Sequence, residues 1–223
     1  MNNPGLNVRI DDQYNVFTEY MWWNKENPPP RLPFAVVEKS LDGYLPEFER
    51  GTNVDIVTFP DGDFSYSPIN DRDKYTTGAM CGIVVLAQGK HPDGSRMLSV
   101  LFDIDPRSVD SFGFMHKPPY FKVEFPGIMR QLRDNTVKDT RIVGIVGGYV
   151  GDGGGKLPGL NRSFYDKMVN AVSEMSYCEH FTDVFILQPP KQVRSYTDVY
   201  WETQKGNITI VTRPDLSPHL PGE

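Results

Sequence analysis

Runs of apolar residues separated by turn-forming residues predict most of the strands in this chain. The run CGIVVLAQ (81–88) is continuous and rich in β-branched residues, and the turn HPDGS leads from it into RMLSVLFDID (96–105). Continuous apolar runs of this length are typical of strands buried on both faces. The pair therefore predicts a buried hairpin at the centre of a sheet.

Similar runs predict further strands elsewhere in the chain. They are VDIVTF (54–59), RIVGIVGGYV (141–150), TDVFILQ (182–188) and the closing hairpin TDVYWETQKGNITIVTR (197–213), whose turn is KGN. The segment TTGAM (76–80) is interpreted as a small polar turn that leads into the strand after Cys81.

Two segments have apolar residues at helical spacing instead. FPGIMRQLRD (125–134) has Pro126 where the first turn of a helix tolerates it, and SFYDKMVNAVSEM (163–175) has an apolar face. The order strand, hairpin, helix, strand, helix, strand, hairpin predicts an α/β domain of the α+β layered kind, with a mixed sheet core flanked by two helices. We expect this single domain to span 51–223. Residues 1–50, which are rich in aromatic residues and proline, are expected to form an extension packed on it.

Composition narrows the classes of function. The chain has 223 residues and a formal net charge of -6 with no basic block, which argues against a nucleic-acid binder. Two cysteines without a disulfide framework or a Cys/His cluster indicate a reducing compartment, and we expect no cofactor and no metal. No apolar stretch approaches the roughly 20 residues that span a bilayer, and no signal peptide is recognised. We therefore expect no membrane association, a cytoplasmic location and a protein substrate or partner. The cytosol of a host is the alternative if the chain is exported without a classical signal peptide.

The glycine-rich segment GGYVGDGGGKLPG (147–159) invites comparison with phosphate-binding loops. Such a loop needs glycine at 150 and Ser or Thr at 157, where this chain has Val150 and Leu157. The spacing therefore does not favour nucleotide binding. Because glycine lets backbones approach closely, we expect Gly147 and Gly148 to contact a neighbouring segment or a ligand near a functional edge.

Two acidic residues follow each other closely at the end of the strand predicted over 96–105. Alternation places Asp103 and Asp105 on one face and Ile104 on the other. The two carboxyl groups are candidates for metal binding or acid-base chemistry. The alternative, which we favour, is a strand end that enters solvent.

Cys81 has two interpretations. Free cysteine is commonly buried and acts as a small core residue. A nucleophilic thiol instead needs a stabilised thiolate, usually beside an imidazole, and backbone donors for an oxyanion. The small residues at 76–79 favour exposed backbone before Cys81, whereas Cys178 follows a helix and lacks this setting.

The chain resembles the bacterial chemoreceptor glutamine deamidases and their toxin relatives of the cytotoxic-necrotizing-factor type. The likeness lies in the succession TTGAMCGIVVLAQ, MLSVLFDIDP, FPGIMRQLRD, RIVGIVGGYVG, FYDKMVNAVSEM and ITIVTR. It covers about residues 76–213 and consists of an order of elements with a few glycine and cysteine anchors. The resemblance implies a β-sandwich-like α/β fold and a Cys-His hydrolase that releases ammonia from a protein glutamine side chain.

The resemblance also implies roles for particular residues. Cys81 would attack the carboxamide carbon, a histidine would activate the thiol and protonate the ammonia, and a threonine would orient the histidine. The family has that threonine six positions before the cysteine, where this chain has Tyr75, so Thr76 and Thr77 are the candidates. The family's histidine position falls in the segment LFD (101–103).

No imidazole stands at that position. Asp103 there would raise the pKa of a nearby thiol, so a site using it is expected to be weak. His116 is the candidate histidine, because it follows the strand that runs back towards Cys81. His91 lies in the hairpin turn, about 20 Å along the strand from Cys81.

Two classes of function stay open at this point. One is a cysteine amidohydrolase that acts on a protein glutamine. The other is a non-catalytic binding or effector protein that has kept the fold and lost the histidine, with the aromatic extension docking a partner.

Overall fold

The computed structural model describes residues 5–10, 16–21, 35–40, 53–57, 64–79, 82–105, 120–149, 162–188 and 195–214. These residues form twelve strands and two α-helices. The strands are β1 (Gly5–Ile10), β2 (Val16–Met21), β3 (Ala35–Ser40), β4 (Val54–Val57), β5 (Phe64–Tyr66), β6 (Asp73–Ala79), β7 (Ile83–Lys90), β8 (Met97–Ile104), β9 (Ile142–Gly147), β10 (Asp183–Gln188), β11 (Ser195–Glu202) and β12 (Asn207–Pro214). The helices are α1 (Tyr120–Asp134) and α2 (Arg162–Cys178).

The strands form two mixed sheets. One has seven strands in the order β2-β1-β10-β9-β7-β8-β5, and the other has five in the order β3-β12-β11-β6-β4. β9 and β10 run parallel in the first sheet, and β3 with β12 and β4 with β6 run parallel in the second. The expectation of a layered α+β domain with a mixed sheet core and two helices is confirmed at this level.

Alternation along the central strands produces two separate apolar layers. Val85, Phe102 and Ile145 are fully buried against the helices, in a cluster that also contains Phe125 and Val172. The intervening residues face the five-stranded sheet, in a second cluster that contains Val84, Leu86, Leu101, Val146, Val199, Trp201 and Ile210. Because each fully buried side chain of this size contributes about 1.5–3 kcal/mol, the first layer holds the helices on the seven-stranded sheet and the second holds the two sheets together.

The predicted central hairpin is present. β7 pairs with β8 from Ile83 opposite Ile104 to Lys90 opposite Met97. β7 also pairs with β9, so both strands that flank it are hydrogen-bonded in the seven-stranded sheet. Its continuous apolar sequence follows from burial on both faces.

The position predicted for Pro126 is wrong. α1 begins at Tyr120, so Pro126 lies inside the helix instead of in its first turn. Proline removes one hydrogen bond from a helix interior. The helix extends past it because Phe121 packs 5.2 Å from Phe125, which itself packs 4.8 Å from Phe102, measured between ring centroids.

The polar turn predicted at 76–80 is also wrong over the part that is described. Residues 73–79 form β6, which lies between β4 and β11 in the five-stranded sheet. The sequence did not predict this strand because two residues on its buried face, Lys74 and Thr76, are polar. Both are buried because their hydrogen-bond partners come from distant parts of the chain.

The described residues of the segment 1–50 form three strands. β1 pairs with β10 in the seven-stranded sheet, and β3 pairs with β12 in the five-stranded sheet. β1 also pairs with β2. This part of the chain therefore contributes strands to both sheets.

Candidate functional site

Of the candidate residues, Thr76, Asp103, Gly147 and Gly148 lie near the same end of the two sheets. β6 ends at Ala79 in the five-stranded sheet, and β7 begins at Ile83 in the seven-stranded sheet. The chain therefore crosses between the sheets over the few residues that separate them. Cys81 belongs to that connection, and it lies outside the described residues, as does His116.

Thr76 and Asp103 form a polar pair inside this end. The Thr76 hydroxyl donates a hydrogen bond of 3.3 Å to Oδ2 of Asp103. Thr76 lies on β6 and Asp103 on β8, so the bond joins the two sheets. Thr77 is half-buried, and the pairing of β6 with β11 is irregular between Thr76 and Ala79. Of the two threonine candidates, Thr76 is the one that bonds to Asp103.

The expectation that the strand end enters solvent is wrong for Asp103. Its exposed fraction is only 2%, because it lies opposite Val84 in the layer between the sheets. Burial raises the pKa of Asp103 to about 7, and the charge of Asp105 adds to the rise while the Thr76 hydrogen bond opposes it. Ile104 faces the helices, as alternation predicts. Asp103 therefore exchanges a proton near neutral pH.

Gly82 lies in tight contact with the neighbouring strands. A Cβ at this position would overlap the carbonyl oxygen of Ile104, the last residue of β8. The Gly82 carbonyl accepts a 3.0 Å hydrogen bond from the backbone N–H of Gly148, and Gly147 lies opposite Ile83. The neighbour that Gly148 contacts is thus Gly82. These contacts fix the residue that directly follows Cys81 in the sequence.

Replacing Gly82 with alanine is expected to lower the free energy of unfolding by about 1–3 kcal/mol, because the added methyl group meets backbone that cannot move aside. Urea unfolding measures the change. Gly127→Ala is the matched control, since nothing lies within 4 Å of a Cβ at Gly127 and alanine is favoured in a helix. Equal stability of the Gly82→Ala variant and the native chain would contradict the close approach.

A buried ion network lies further along the same layer and was not predicted from the sequence. Lys74 Nζ is fully buried and lies 2.7 Å from Oδ2 of Asp55. It also donates to the Pro68 carbonyl, at 3.2 Å, and to the Asn70 side chain. Arg72 lies 3.1 Å from the other carboxylate oxygen of Asp55. The ammonium group of Lys74 therefore has three acceptors.

Burial and charge act in opposite directions in this network. Burial lowers the pKa of Lys74, and the hydrogen bond from Lys74 to Asp55 opposes that effect. Burial also opposes ionisation of Asp55, but the hydrogen bonds from Lys74 and Asn70 outweigh it, so the pKa of Asp55 is lowered. In the sequence, Asp55 is a charged residue inside the apolar run VDIV, and Lys74 stands near the start of DKYTTGA; nothing in the two segments links them.

The remaining histidines and cysteine of the described part lie elsewhere. His91 is in the turn after β7, at the opposite end from Gly82, and its Nδ1 lies 2.9 Å from Oδ1 of Asp93. Cys178 and His180 are exposed at the end of α2. None of these side chains belongs to the group around Asp103.

Within the described ranges, no three His, Cys, Asp or Glu side chains are grouped so that they could hold a metal ion. No helix in that part of the chain has the length and apolar character needed to cross a membrane. The chain matches no protein-family model and no curated protein sequence.

Proposed function

We propose that the chain is a cysteine-dependent amidohydrolase that converts a glutamine side chain of a protein to glutamate, with Cys81 as the nucleophile. The observation that carries the proposal is the Thr76–Asp103 hydrogen bond at 3.3 Å. In the family that the chain resembles, a threonine orients the histidine, and Asp103 falls where that histidine is expected.

Asp103 has the proton affinity that the reaction requires. Burial raises its pKa to about 7, close to the value of about 6.5 for an unperturbed imidazole. A group with a pKa near the working pH can accept a proton in one step and return it in the next. Asp103 differs from histidine in charge, because its ionised form is an anion and does not stabilise a thiolate. We therefore assign it the role of a general base that acts during the attack of the thiol.

The two half-reactions then share one proton carrier. Cys81 Sγ bonds to the carboxamide carbon while its proton passes to ionised Asp103. The C–N bond then breaks, and Asp103 returns the proton to the departing nitrogen, which leaves as ammonia. Water attacks the thioester carbon and gives its proton to Asp103, and the C–S bond breaks. Asp103 reprotonates the sulfur, and the product is glutamate.

The other sequence candidates have distinct places in this proposal. Thr76 is a positioning residue that holds Asp103. Thr77 has no role in this proposal. His116 remains the alternative proton carrier, and its contribution is separated from that of Asp103 by experiment.

The test measures ammonia release from unfolded casein, with mass spectrometry of the resulting glutamate residues. Cys81→Ala is expected to abolish release, because no other group forms the thioester. Cys178→Ala is the matched control and is expected to retain full activity, since Cys178 is exposed at the end of α2. Activity that survives in Cys81→Ala would overturn the proposal.

The proton carrier is identified in the same assay. Asp103→Asn is expected to lower the rate by about a hundredfold or more, and His116→Ala to change it little. Alkylation of Cys81 by iodoacetamide adds a readout that does not depend on the substrate. Removing the negative charge of Asp103 lowers the pKa of a nearby thiol, so alkylation is expected to become faster in Asp103→Asn.

The second candidate function is binding on the same fold without catalysis. The burial of Asp103 favours it, because a carboxyl group with 2% exposure also serves to join two sheets. In that case Cys81 does not react with iodoacetamide at neutral pH, and Cys81→Ala retains every biological effect of the native chain.

A further inference from the structure

The side chain of Gln188 is buried at this end of the molecule and has no hydrogen bond to a described residue. Gln188 ends β10 with an exposed fraction of 2%, and among the described residues neither its Oε1 nor its Nε2 has a partner. A buried amide without partners costs about 1–3 kcal/mol. Folding therefore does not account for this residue.

The sheet register shows which face Gln188 occupies. An irregularity after Ile186 brings Gln188 opposite Val146, and Val146 lies opposite Val84, which lies opposite Asp103. Leu187, the extra residue at this irregularity, belongs to the layer between the sheets, and a bulge interrupts the alternation of faces, so Gln188, paired with Val146, is placed on the same face. Gln188 and Asp103 thus share a row on the face that meets the five-stranded sheet.

The facing sheet presents hydroxyl groups at the same end. Thr197 lies opposite Ala79 on one side and Thr212 on the other. It alternates with Val199 and Trp201, which belong to the layer between the sheets, so Thr197 faces the same layer. The hydroxyl oxygens of Thr197 and Thr212 are buried and have no partner within the described ranges. Buried polar groups on both sheets are therefore unpaired at this end.

We propose that Gln188, with Thr197 and Thr212, forms a binding site for a primary carboxamide. Two amides can pair reciprocally, because each has one carbonyl acceptor and one NH₂ donor. Gln188 Nε2 donates to the carbonyl oxygen of the ligand, and the ligand NH₂ donates to Gln188 Oε1. The threonine hydroxyls accept or donate the bonds that remain.

The chemistry of the group selects a neutral ligand that has both a donor and an acceptor. Gln188, Thr197 and Thr212 carry no charge. A carboxylate has no donor for Gln188 Oε1 and would leave that oxygen unpaired. Because an unpaired polar atom in a buried site is costly, the carboxylate binds much more weakly than the amide. The site therefore takes an amide in preference to the corresponding acid.

This inference rests on the proposed function, because it identifies how the glutamine side chain is recognised. Ala79, two residues before Cys81, pairs with Thr197, and Gly82, directly after Cys81, bonds to Gly148 beside the row of Val146. The site assigned to the amide thus adjoins the segment assigned to the nucleophile. Release of the acid product follows from the same preference.

The test is an NMR titration of the full chain with propionamide and with propionate. The native chain is expected to bind propionamide at least about tenfold more tightly than propionate, and Gln188→Leu to weaken propionamide binding by about tenfold or more. Gln188→Leu is also expected to raise the urea midpoint, because leucine fills the space and removes the unpaired amide. If Gln188 only stabilised the fold, its replacement by leucine would lower the urea midpoint.

Gln88→Leu is the matched control. Gln88 is a buried glutamine on β7, near the opposite end of that strand from Gly82, and its replacement is expected to leave propionamide binding unchanged. Equal binding of amide and acid, no binding by the native chain, or unchanged binding in Gln188→Leu would each overturn the amide site.

Two further results separate this inference from the proposed function. If Cys81→Ala and the native chain bind propionamide equally while neither releases ammonia from casein, the amide site stands and the hydrolase does not. If the native chain releases ammonia and Gln188→Leu keeps the same KM, the hydrolase stands and the amide site does not.

Discussion

Replacing Asp103 with asparagine is expected to raise the free energy of unfolding by about 4 kcal/mol at about pH 8 and to leave it nearly unchanged below about pH 4. Asparagine is close in shape to the protonated carboxyl group and still offers Thr76 an oxygen acceptor. The variant therefore keeps the contact between the sheets and loses the cost of burying a negative charge.

The sign follows from the proton affinities of the two states. The pKa of Asp103 is about 7 in the folded chain and near 3.8 in the unfolded chain, so the folded state holds the proton more tightly. Between these values the unfolded state has already lost its proton, and native stability falls as the pH rises. An affinity about a thousandfold higher corresponds to about 4 kcal/mol, which is fully lost above about pH 7.

Urea unfolding of both chains over a series of pH values measures this difference. Asp105→Asn is the matched control, because it removes the same charge two residues away at a half-buried position. We expect most of the pH dependence to persist in that control, since burial of Asp103 is the larger cause. If Asp103→Asn destabilised the chain, and did so more at high pH than at low pH, the ionised carboxylate would be the form that the fold needs.

Removing the carboxylate of Asp55 is expected to lower the free energy of unfolding by about 3–5 kcal/mol, because the fully buried ammonium of Lys74 then lacks its counter-charge. The loss is expected to shrink as the pH rises, because burial lowers the pKa of Lys74. In the variant, Lys74 then loses its proton within the folded state, and the cost of burying an unpaired charge disappears. Urea unfolding of Asp55→Ala at several pH values measures both effects.

The double variant Asp55→Ala with Lys74→Met provides the control. It removes both charges and keeps an unbranched side chain of similar length in the layer between the sheets. We expect it to recover most of the lost stability, because the penalty comes from the unpaired charge more than from the lost attraction. A double variant no more stable than Asp55→Ala would contradict that origin.

The sequence predicted those parts of the fold in which buried positions are occupied by apolar residues. β7 and β8 are continuous apolar runs because both faces of their sheet are covered, and the turn between them has the expected residues. β6 could not be predicted in the same way. Its inward residues Lys74 and Thr76 are polar, and they are tolerated only because Asp55 and Asp103 come from other strands to pair with them.

The candidate site could likewise be predicted only where neighbouring residues in the sequence determine it. The sequence singles out Asp103 as a candidate, but its pKa depends on burial by strands that are far away along the chain. The choice between Thr76 and Thr77 depends on the hydrogen bond from Thr76 to Asp103, a residue of the other sheet. Gln188 ends a predicted strand without any sequence signal, because its distinguishing property is the absence of nearby partners.

The pairing of the first strands with the last ones also determines when this protein can fold during synthesis. β1 lies opposite β10 at Asn7 and Phe185, and β3 lies opposite β12 at Val36 and Ile208. The early strands leave the ribosome on the order of ten seconds before their partners do. During that interval the hydrogen-bonding edges of β1 and β3 are unsatisfied, and exposed edges of this kind pair readily with other chains. Contacts between such distant parts of a chain also slow folding, and neither sheet is complete before β10 and β12 have been synthesised.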